Sequence, residues 1–266
     1  RRDWFGEFVF DPTATAYRYQ VALNGYDAEA PGWLAELFAT GFKFCHPTKD
    51  DGKCRYGVKA SKPHPGITRF SAAIDPGTSD RATLQITGWG DETHEVQHVF
   101  EWSTPRKAGA TWDDIAGVAG FVNGKLDIEA WRYDGGGSNM EIDTFGNDYG
   151  LPVIKAAAKA DMRGQIAREN TLFQKGWSRI MKGSALEEDY QKARLDPDAL
   201  ARGQLKWSSQ WHPDPSEAKR YADQGYYDAY QAPEAQLDEG ARLAYAARHR
   251  NDEEDDDPLG LMDDDD

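Results

Sequence analysis

Residues 94–98 read His-Glu-Val-Gln-His, the spacing at which zinc-dependent peptidases carry two histidine ligands and a glutamate. On a helix, His94 and His98 would face the same side, and Glu95 would act as general base on a zinc-bound water. The surrounding pattern favours a strand, because Val96, His98, Phe100 and Trp102 continue a two-residue period after a Gly-Asp turn. We therefore expect a strand in which the two histidines do not share a metal.

Cys45, His46, Cys54 and His64 are a second group of residue types that bind zinc. Structural zinc sites use closely paired ligands, whereas these positions are loosely spaced. We therefore expect two ordinary thiols, and we predict no metal or other cofactor. Two cysteines also argue against a disulfide scaffold and favour a reducing compartment.

The stretch from Gly41 to Phe70 interleaves cations with aromatic rings. Seven basic residues stand against two acidic ones, which gives a net charge of +5. Surfaces of this composition bind single-stranded nucleic acid, since cations follow the phosphates while rings stack on the bases. The predicted contacts are Lys43, Phe44, Lys53, Arg55, Tyr56, Lys59 and Lys62. An ordinary solvated hairpin with core aromatics would have the same spacing.

A second basic surface is predicted on a helix that follows Gly150. Lys155, Lys159 and Arg163 recur four residues apart, so they would share one helix face. Residues 151–183 carry a net charge of +5. This face could bind phosphates or the acidic end of the chain, although a solvated polar face would also explain it.

The elements that would carry these residues change in kind at Gly150. Before it, short strand-like runs are separated by turn residues, and Asp134-Gly135-Gly136-Gly137 suggests a hairpin connection. Neighbouring strands with tight turns predict an α+β fold, built on a mainly antiparallel β barrel or sandwich with inserted short helices. An oligonucleotide-binding (OB) barrel is one such fold. We predict a β-rich domain at residues 1–150 and a helical extension at 151–250.

The end of the chain is strongly acidic. Residues 252–266 contain ten acidic residues and no basic one, and without them the net charge would change from −15 to −5. Like charges repel, and the segment has little apolar area to offset the entropy of ordering. We predict a disordered acidic tail at residues 251–266, with Leu259–Met262 as a short apolar group that could dock a partner.

With its strand-rich half and acidic tail, the chain resembles the acidic-tailed single-stranded DNA-binding proteins of tailed phages. The resemblance rests on residues 252–266 and on the β-rich half. It implies an OB barrel, a role in DNA replication without enzymatic activity, and a tail that competes with DNA and docks protein partners.

Single-stranded nucleic-acid binding is therefore the predicted function. We expect a cytoplasmic protein, in the host cytoplasm if it is viral, because no apolar run approaches the roughly 18 residues of a membrane span. A non-enzymatic structural or scaffolding protein stays open as an alternative, as does a zinc hydrolase built on His94, Glu95 and His98. Assembly into a homo-oligomer is also open.

Overall fold

The computed structural model describes residues 15–40, 57–76, 82–104, 112–133, 146–147, 149–155 and 162–230. The chain divides into two units, Phe10–Asp228 and a second formed by Arg1–Val9 with Ala229–Asp266. Nearly all described residues belong to the first unit. The predicted acidic tail lies outside the described residues.

Short strands and helices follow one another along the described part of the chain. In order they are α1 (Val21–Asn24), β1 (Gly25–Tyr26), α2 (Trp33–Ala39), β2 (Val58–Ala60), β3 (Arg69–Asp75), β4 (Thr83–Trp89), β5 (Val96–Ser103), α3 (Trp112–Leu126), β6 (Ala130–Tyr133), β7 (Val153–Lys155), α4 (Met162–Gln174), β8 (Ser178–Met181), α5 (Ala185–Lys192), α6 (Pro197–Ala201), α7 (Asp214–Ala222) and α8 (Gln224–Ala229).

These strands form one mixed sheet in the order β1-β8-β5-β4-β3-β6-β7, with β2 also paired to β5. Strands β3, β4 and β5 are an antiparallel meander, and β2 is antiparallel to β5. The pairs β1–β8, β5–β8, β3–β6 and β6–β7 are parallel. All of these strands except β2 and β4 therefore run in one direction, and their carboxyl ends meet at one edge of the sheet.

The predicted antiparallel barrel or sandwich is wrong, and so is the OB type. Helix α3 lies between β5 and β6 in the chain, so that β6 joins the sheet parallel to β3. Helix α4 likewise connects β7, at one end of the sheet, to β8 on the other side of β5. Every residue of β4 and β5 is buried, as expected of an open sheet that is covered on both faces.

The two faces of the sheet are packed differently. One face packs against α2 and α3 through a large apolar cluster that includes Phe100, Trp102 and Trp131. The other face carries α7, which lies over β3 and β4. A separate cluster that contains Phe173 and Tyr190 packs between α4, α5 and β8.

The helix predicted to follow Gly150 does not begin there, because the stretch from 151 to 182 contains β7, α4 and β8 in turn. Strands of three or four residues depend on their partner strands, so local sequence gives little sign of them. The next two helices have local signals that sequence reasoning can find. Ser184 caps α5 by accepting from the Glu187 amide, and Asp196 caps α6 with Pro197 in its first turn. No helix in the described ranges is long and apolar enough to cross a membrane.

Candidate metal site at the carboxyl edge of the sheet

Asp75 ends β3 in the middle of the sheet and is half-buried. Its cross-strand partner on β4 is Thr83, and Ile74, the residue before it, pairs with Tyr133 at the end of β6. Strands β3 and β6 are parallel, so Asp75 lies at the edge where the carboxyl ends of both strands meet. A carboxylate at this edge is a candidate ligand for a cation or substrate.

The side chains of β3 alternate between the two faces of the sheet. Phe70 and Ile74 belong to the large cluster against α3, whereas Ala73 packs against Tyr221 and Ala222 at α7. By this alternation Asp75 shares the α7 face with Ala73. The acid therefore belongs to the polar face of the sheet, near helix α7.

The residue that follows β6 in the sequence is also an aspartate. Asp134 comes directly after Tyr133 in the sequence and lies outside the described residues. Within the described ranges, no three His, Cys, Asp or Glu side chains are grouped so that they could hold a metal ion. Asp75 is therefore the described member of any metal site at this edge.

Oxygen ligands of this kind suit a hard divalent cation. Asp75 provides a carboxylate, the donor that Mg²⁺ and Mn²⁺ prefer over sulfur or imidazole. Neighbouring parallel strands lie about 4.8 Å apart, so acids at equivalent ends of two such strands can bind one ion together. The chemistry of the edge thus fits a magnesium-type site.

The α7 face holds a group of buried charges, the triad Glu169, Lys219 and Asp223. Lys219 Nζ lies 3.0 Å from Glu169 Oε1 and 2.5 Å from Asp223 Oδ2, and all three side chains are at most 1% exposed. The same Glu169 oxygen also accepts from Ser178 and Tyr190. The triad therefore connects α7 to α4, α5 and β8.

Burial and charge act in opposite senses on the acids of the triad. Burial raises the pKa of Asp223 well above its usual value, and Lys219 opposes this only in part. Burial would also raise the pKa of Glu169, but Lys219 and hydrogen bonds to it bring that pKa below its usual value. The pKa of Lys219 is raised, because the two acids outweigh its burial. Burial and the contact with Lys219 thus shift the pKa values of the two acids in opposite directions, that of Asp223 upwards and that of Glu169 downwards.

The residues predicted to bind nucleic acid are only partly described. Lys43, Phe44, Lys53, Arg55, Tyr56 and Lys159 lie outside the described residues. Lys59 donates to the Lys182 carbonyl, and Lys62 pairs with Glu29. These two lysines therefore have internal contacts, and a role for them in binding phosphates stays a prediction.

The second predicted basic surface is divided between two elements. Lys155 ends β7 in register with Tyr133, whereas Arg163 lies on the exposed side of α4. They do not form the single helix face predicted from the spacing, because the chain from 153 to 155 is a strand. Lys155 nevertheless ends at the same edge as Asp75, two strands away.

The His-Glu-Val-Gln-His segment is not helical. Strand β5 begins at Val96, so His94 and Glu95 precede it, and His98 is fully buried within it. His94 stacks on Trp177, and Glu95 Oε1 accepts from His64 Nδ1 across 2.9 Å. The peptidase arrangement, which needs both histidines on one helix face, is therefore not formed.

Cys45, His46 and Cys54 lie outside the described residues.

Asp75 was missed by the sequence reasoning, although a signal was available. The chain reads Ile-Asp-Pro-Gly at 74–77 and Tyr-Asp-Gly-Gly at 133–136, so both strands end directly in an aspartate followed by turn residues.

Comparison with solved structures relates this fold to phage large terminases. The large terminase nuclease of the thermophilic phage G20c, with bound magnesium, matches with a TM-score of 0.55 and 12% identity, over 79% of this chain and 96% of that one. The P22 large terminase nuclease domain matches with a TM-score of 0.51 and 11% identity, over 82% and 93%. The large terminase of a second thermophilic bacteriophage matches with a TM-score of 0.52 and 19% identity, over 61% and 40%. No protein-family model and no curated protein sequence matches the chain.

These neighbours correct the prediction from sequence. They are terminases and their nuclease domains, not single-stranded DNA-binding proteins, so the predicted family, the replication role and the non-enzymatic function are wrong. The scaffolding and zinc-hydrolase alternatives do not fit either. The chain spans about 40% of the length of the second thermophilic phage's terminase but nearly all of the isolated nuclease domains. It has the fold of a phage large terminase nuclease domain.

Proposed function

We propose that this chain is a divalent-metal-dependent nuclease that cuts DNA, with Asp75 and Asp134 as metal ligands. The observation that carries the proposal is the position of Asp75, at the carboxyl end of a central strand and next to the end of β6. The fold is shared with a terminase nuclease whose structure contains magnesium. The proposal explains why Asp75 stands at the end of a central strand and why an aspartate also follows β6 in the sequence.

The register supports the pairing of the two acids. Ile74 pairs with Tyr133, and continuing the ladder by one residue would place Asp134 beside Asp75. Both residues would then lie on the α7 face, because Ile74 and Tyr133, which precede them, belong to the cluster on the opposite face. Two carboxylates in this position would bind one cation and keep it at the edge of the sheet.

The chain's own residues have two tasks in this mechanism. Asp75 and Asp134 would hold the cation, and the parallel pairing of β3 with β6 would keep the end of β3 that carries Asp75 in place. A bound divalent cation supplies charge stabilisation at the phosphate and lowers the pKa of a coordinated water. Basic residues near this edge would attract the DNA backbone.

ATP hydrolysis is the less well supported activity for this chain. The sequence contains no G-x-x-x-x-G-K-[S/T] stretch for cradling phosphates. The chain aligns with almost the whole of the isolated nuclease domains, which favours nucleolytic rather than ATP-dependent chemistry.

A cleavage assay tests the proposal. Purified protein is incubated with plasmid, linear duplex and single-stranded DNA in Mg²⁺, Mn²⁺, Ca²⁺ or EDTA. We expect cleavage in Mg²⁺ or Mn²⁺, none in EDTA, and a loss of at least about a hundredfold in Asp75→Asn and Asp134→Asn. Asp91→Asn, at the opposite edge of the sheet, is the control and should cleave normally. Full activity of folded Asp75→Asn, or cleavage in EDTA, would contradict the proposal.

A further inference from the structure

The layer between α7 and the sheet lacks a large apolar contact. Among the described residues, the apolar cluster at this interface consists of Ala73, Tyr221 and Ala222, whereas the opposite face has an extensive core. Apolar contacts are non-directional, so a cluster of this size sets the position of a helix only loosely.

Several polar groups of β4 and β5 lie on the face of the sheet that carries α7. Gln85 Oε1, Thr87 Oγ1, Trp89 Nε1 and the ring nitrogens of His98 are buried without a hydrogen-bond partner in the described part of the chain. Leu84 and Ile86 point to the other face, so Gln85, Thr87 and Trp89 face α7 by alternation. The sheet therefore offers the helix few specific contacts directly.

The triad supplies a directional contact of α7 with its neighbour α4. Lys219 lies in the middle of α7, and it binds Glu169 on α4 and Asp223 just after α7. A displaced α7 would separate the buried Lys219 ammonium from Glu169 on α4, and leaving a buried charge uncompensated is strongly unfavourable. Any shift of α7 along the sheet therefore has a steep energetic cost.

The position of α7 affects the edge that carries Asp75. Tyr221 and Ala222 contact Ala73, which lies two residues before Asp75 on the same face. Three residues further along, a Cβ at Gly225 would lie 2.6 Å from Ser71 Cβ, so the chain also approaches β3 closely there. The helical segment thus follows β3 along the face on which the two acids are proposed to bind metal.

We propose that the Glu169–Lys219–Asp223 triad fixes α7 on this face and that Lys219 is a positioning residue for the metal site. This inference rests on the proposed nuclease function. The triad does not touch the metal or the DNA. It acts by holding the helix that packs beside Asp75 in one position.

The test compares variants that remove the triad with variants that keep its shape. Asp223→Ala removes a partner of Lys219, and Asp223→Asn keeps an oxygen acceptor there. The triple variant Glu169→Gln/Lys219→Met/Asp223→Asn removes all charge with little change in volume, so it is expected to fold. Glu129→Gln, which breaks the surface pair with Arg69, is the control.

Three quantities are measured: the melting temperature, Mn²⁺ binding by electron paramagnetic resonance of the free ion, and kcat and KM for DNA cleavage. For the triple variant and Asp223→Ala, we expect Mn²⁺ affinity and kcat to fall about tenfold, with KM for DNA nearly unchanged. Asp223→Asn should recover most of both values, and the control should match wild type.

The outcomes separate the two proposals. If the folded triple variant and Asp223→Ala both bind Mn²⁺ and cleave like wild type, the positioning role is wrong and the nuclease function stands. If wild type and Asp75→Asn bind Mn²⁺ equally weakly and neither cleaves, the proposed function itself is wrong.

Discussion

Replacing Asp75 by Asn should make the protein more stable than wild type without magnesium and less stable than wild type with it. Without metal, two carboxylates at the ends of adjacent parallel strands would lie about 5 Å apart and repel each other. Coulomb's law gives about 1 kcal/mol for this repulsion in a water-like dielectric and about 3 kcal/mol at an effective dielectric of 20. Asp75 is half-buried at the edge of the sheet, so the lower value is the better guide.

With metal, the order should invert. At a Mg²⁺ concentration of ten times its dissociation constant, wild type gains about 1.4 kcal/mol from binding. For a body of this size, that gain corresponds to a rise of about 3–6 °C in melting temperature. Asp75→Asn loses a charged ligand and should gain less than about 1 °C. The variant should therefore melt above wild type in EDTA and below it in Mg²⁺.

Differential scanning fluorimetry of wild type, Asp75→Asn, Asp134→Asn and Asp91→Asn, with and without Mg²⁺, measures this inversion. Asp91 is 75% exposed in its side chain and pairs loosely with Arg69 at the opposite edge, so its variant should respond to Mg²⁺ as wild type does. An equal rise in melting temperature for Asp75→Asn and wild type would show that the acid does not bind the ion.

Two further predictions concern buried polar groups. Burial lowers the pKa of His98 well below its usual value, and the charge of Lys219 lowers it further. As the pH falls, the unfolded chain therefore takes up the extra proton before the folded chain does. Stability that is present above about pH 6.5 is lost below it. Relative to His98→Gln, the unfolding free energy of wild type should fall by up to about 1.4 kcal/mol per pH unit between pH 6 and 5 in urea titrations, and parallel curves would refute this. Glu101 on β5 accepts from the amides of Ala185 and Leu186 at the start of α5, so Glu101→Gln should cost about 2–3 kcal/mol in urea unfolding. The exposed control Glu36→Gln should change stability by less than about 0.5 kcal/mol, and an equal effect of both variants would contradict the capping role.

Local sequence was sufficient for the central hairpin and for several helices. The alternation of residue types at 82–89 is enough to indicate β4 almost to its ends, because the side chains of a strand point alternately to its two faces. The helices at 185–192 and 197–201 begin where capping residues and a proline indicate. These features depend on neighbours within a few positions, which a single sequence contains.

Strand pairing could not be found in this way. The antiparallel meander β3–β4–β5 suggested a wholly antiparallel sheet, but β6, β7 and β8 join by parallel pairing after crossovers. The short strand at 153–155 also lies in a run of alanines and lysines that favours a helix in isolation. Its partner β6 decides its conformation, and nothing within the segment itself identifies that partner.

The amino-acid sequence by itself determined which segments can be strands or helices, and it placed an aspartate directly after two of the strands. Only the tertiary structure decided that these two strands are parallel neighbours, so that Asp75 lies beside the end of β6. It also decided that Lys219, a residue type usually found at the surface, is buried between two acids. The physical reason is the same in both cases: the energies of pairing strands and of compensating buried charges depend on residues far apart in the chain, which only folding brings into contact.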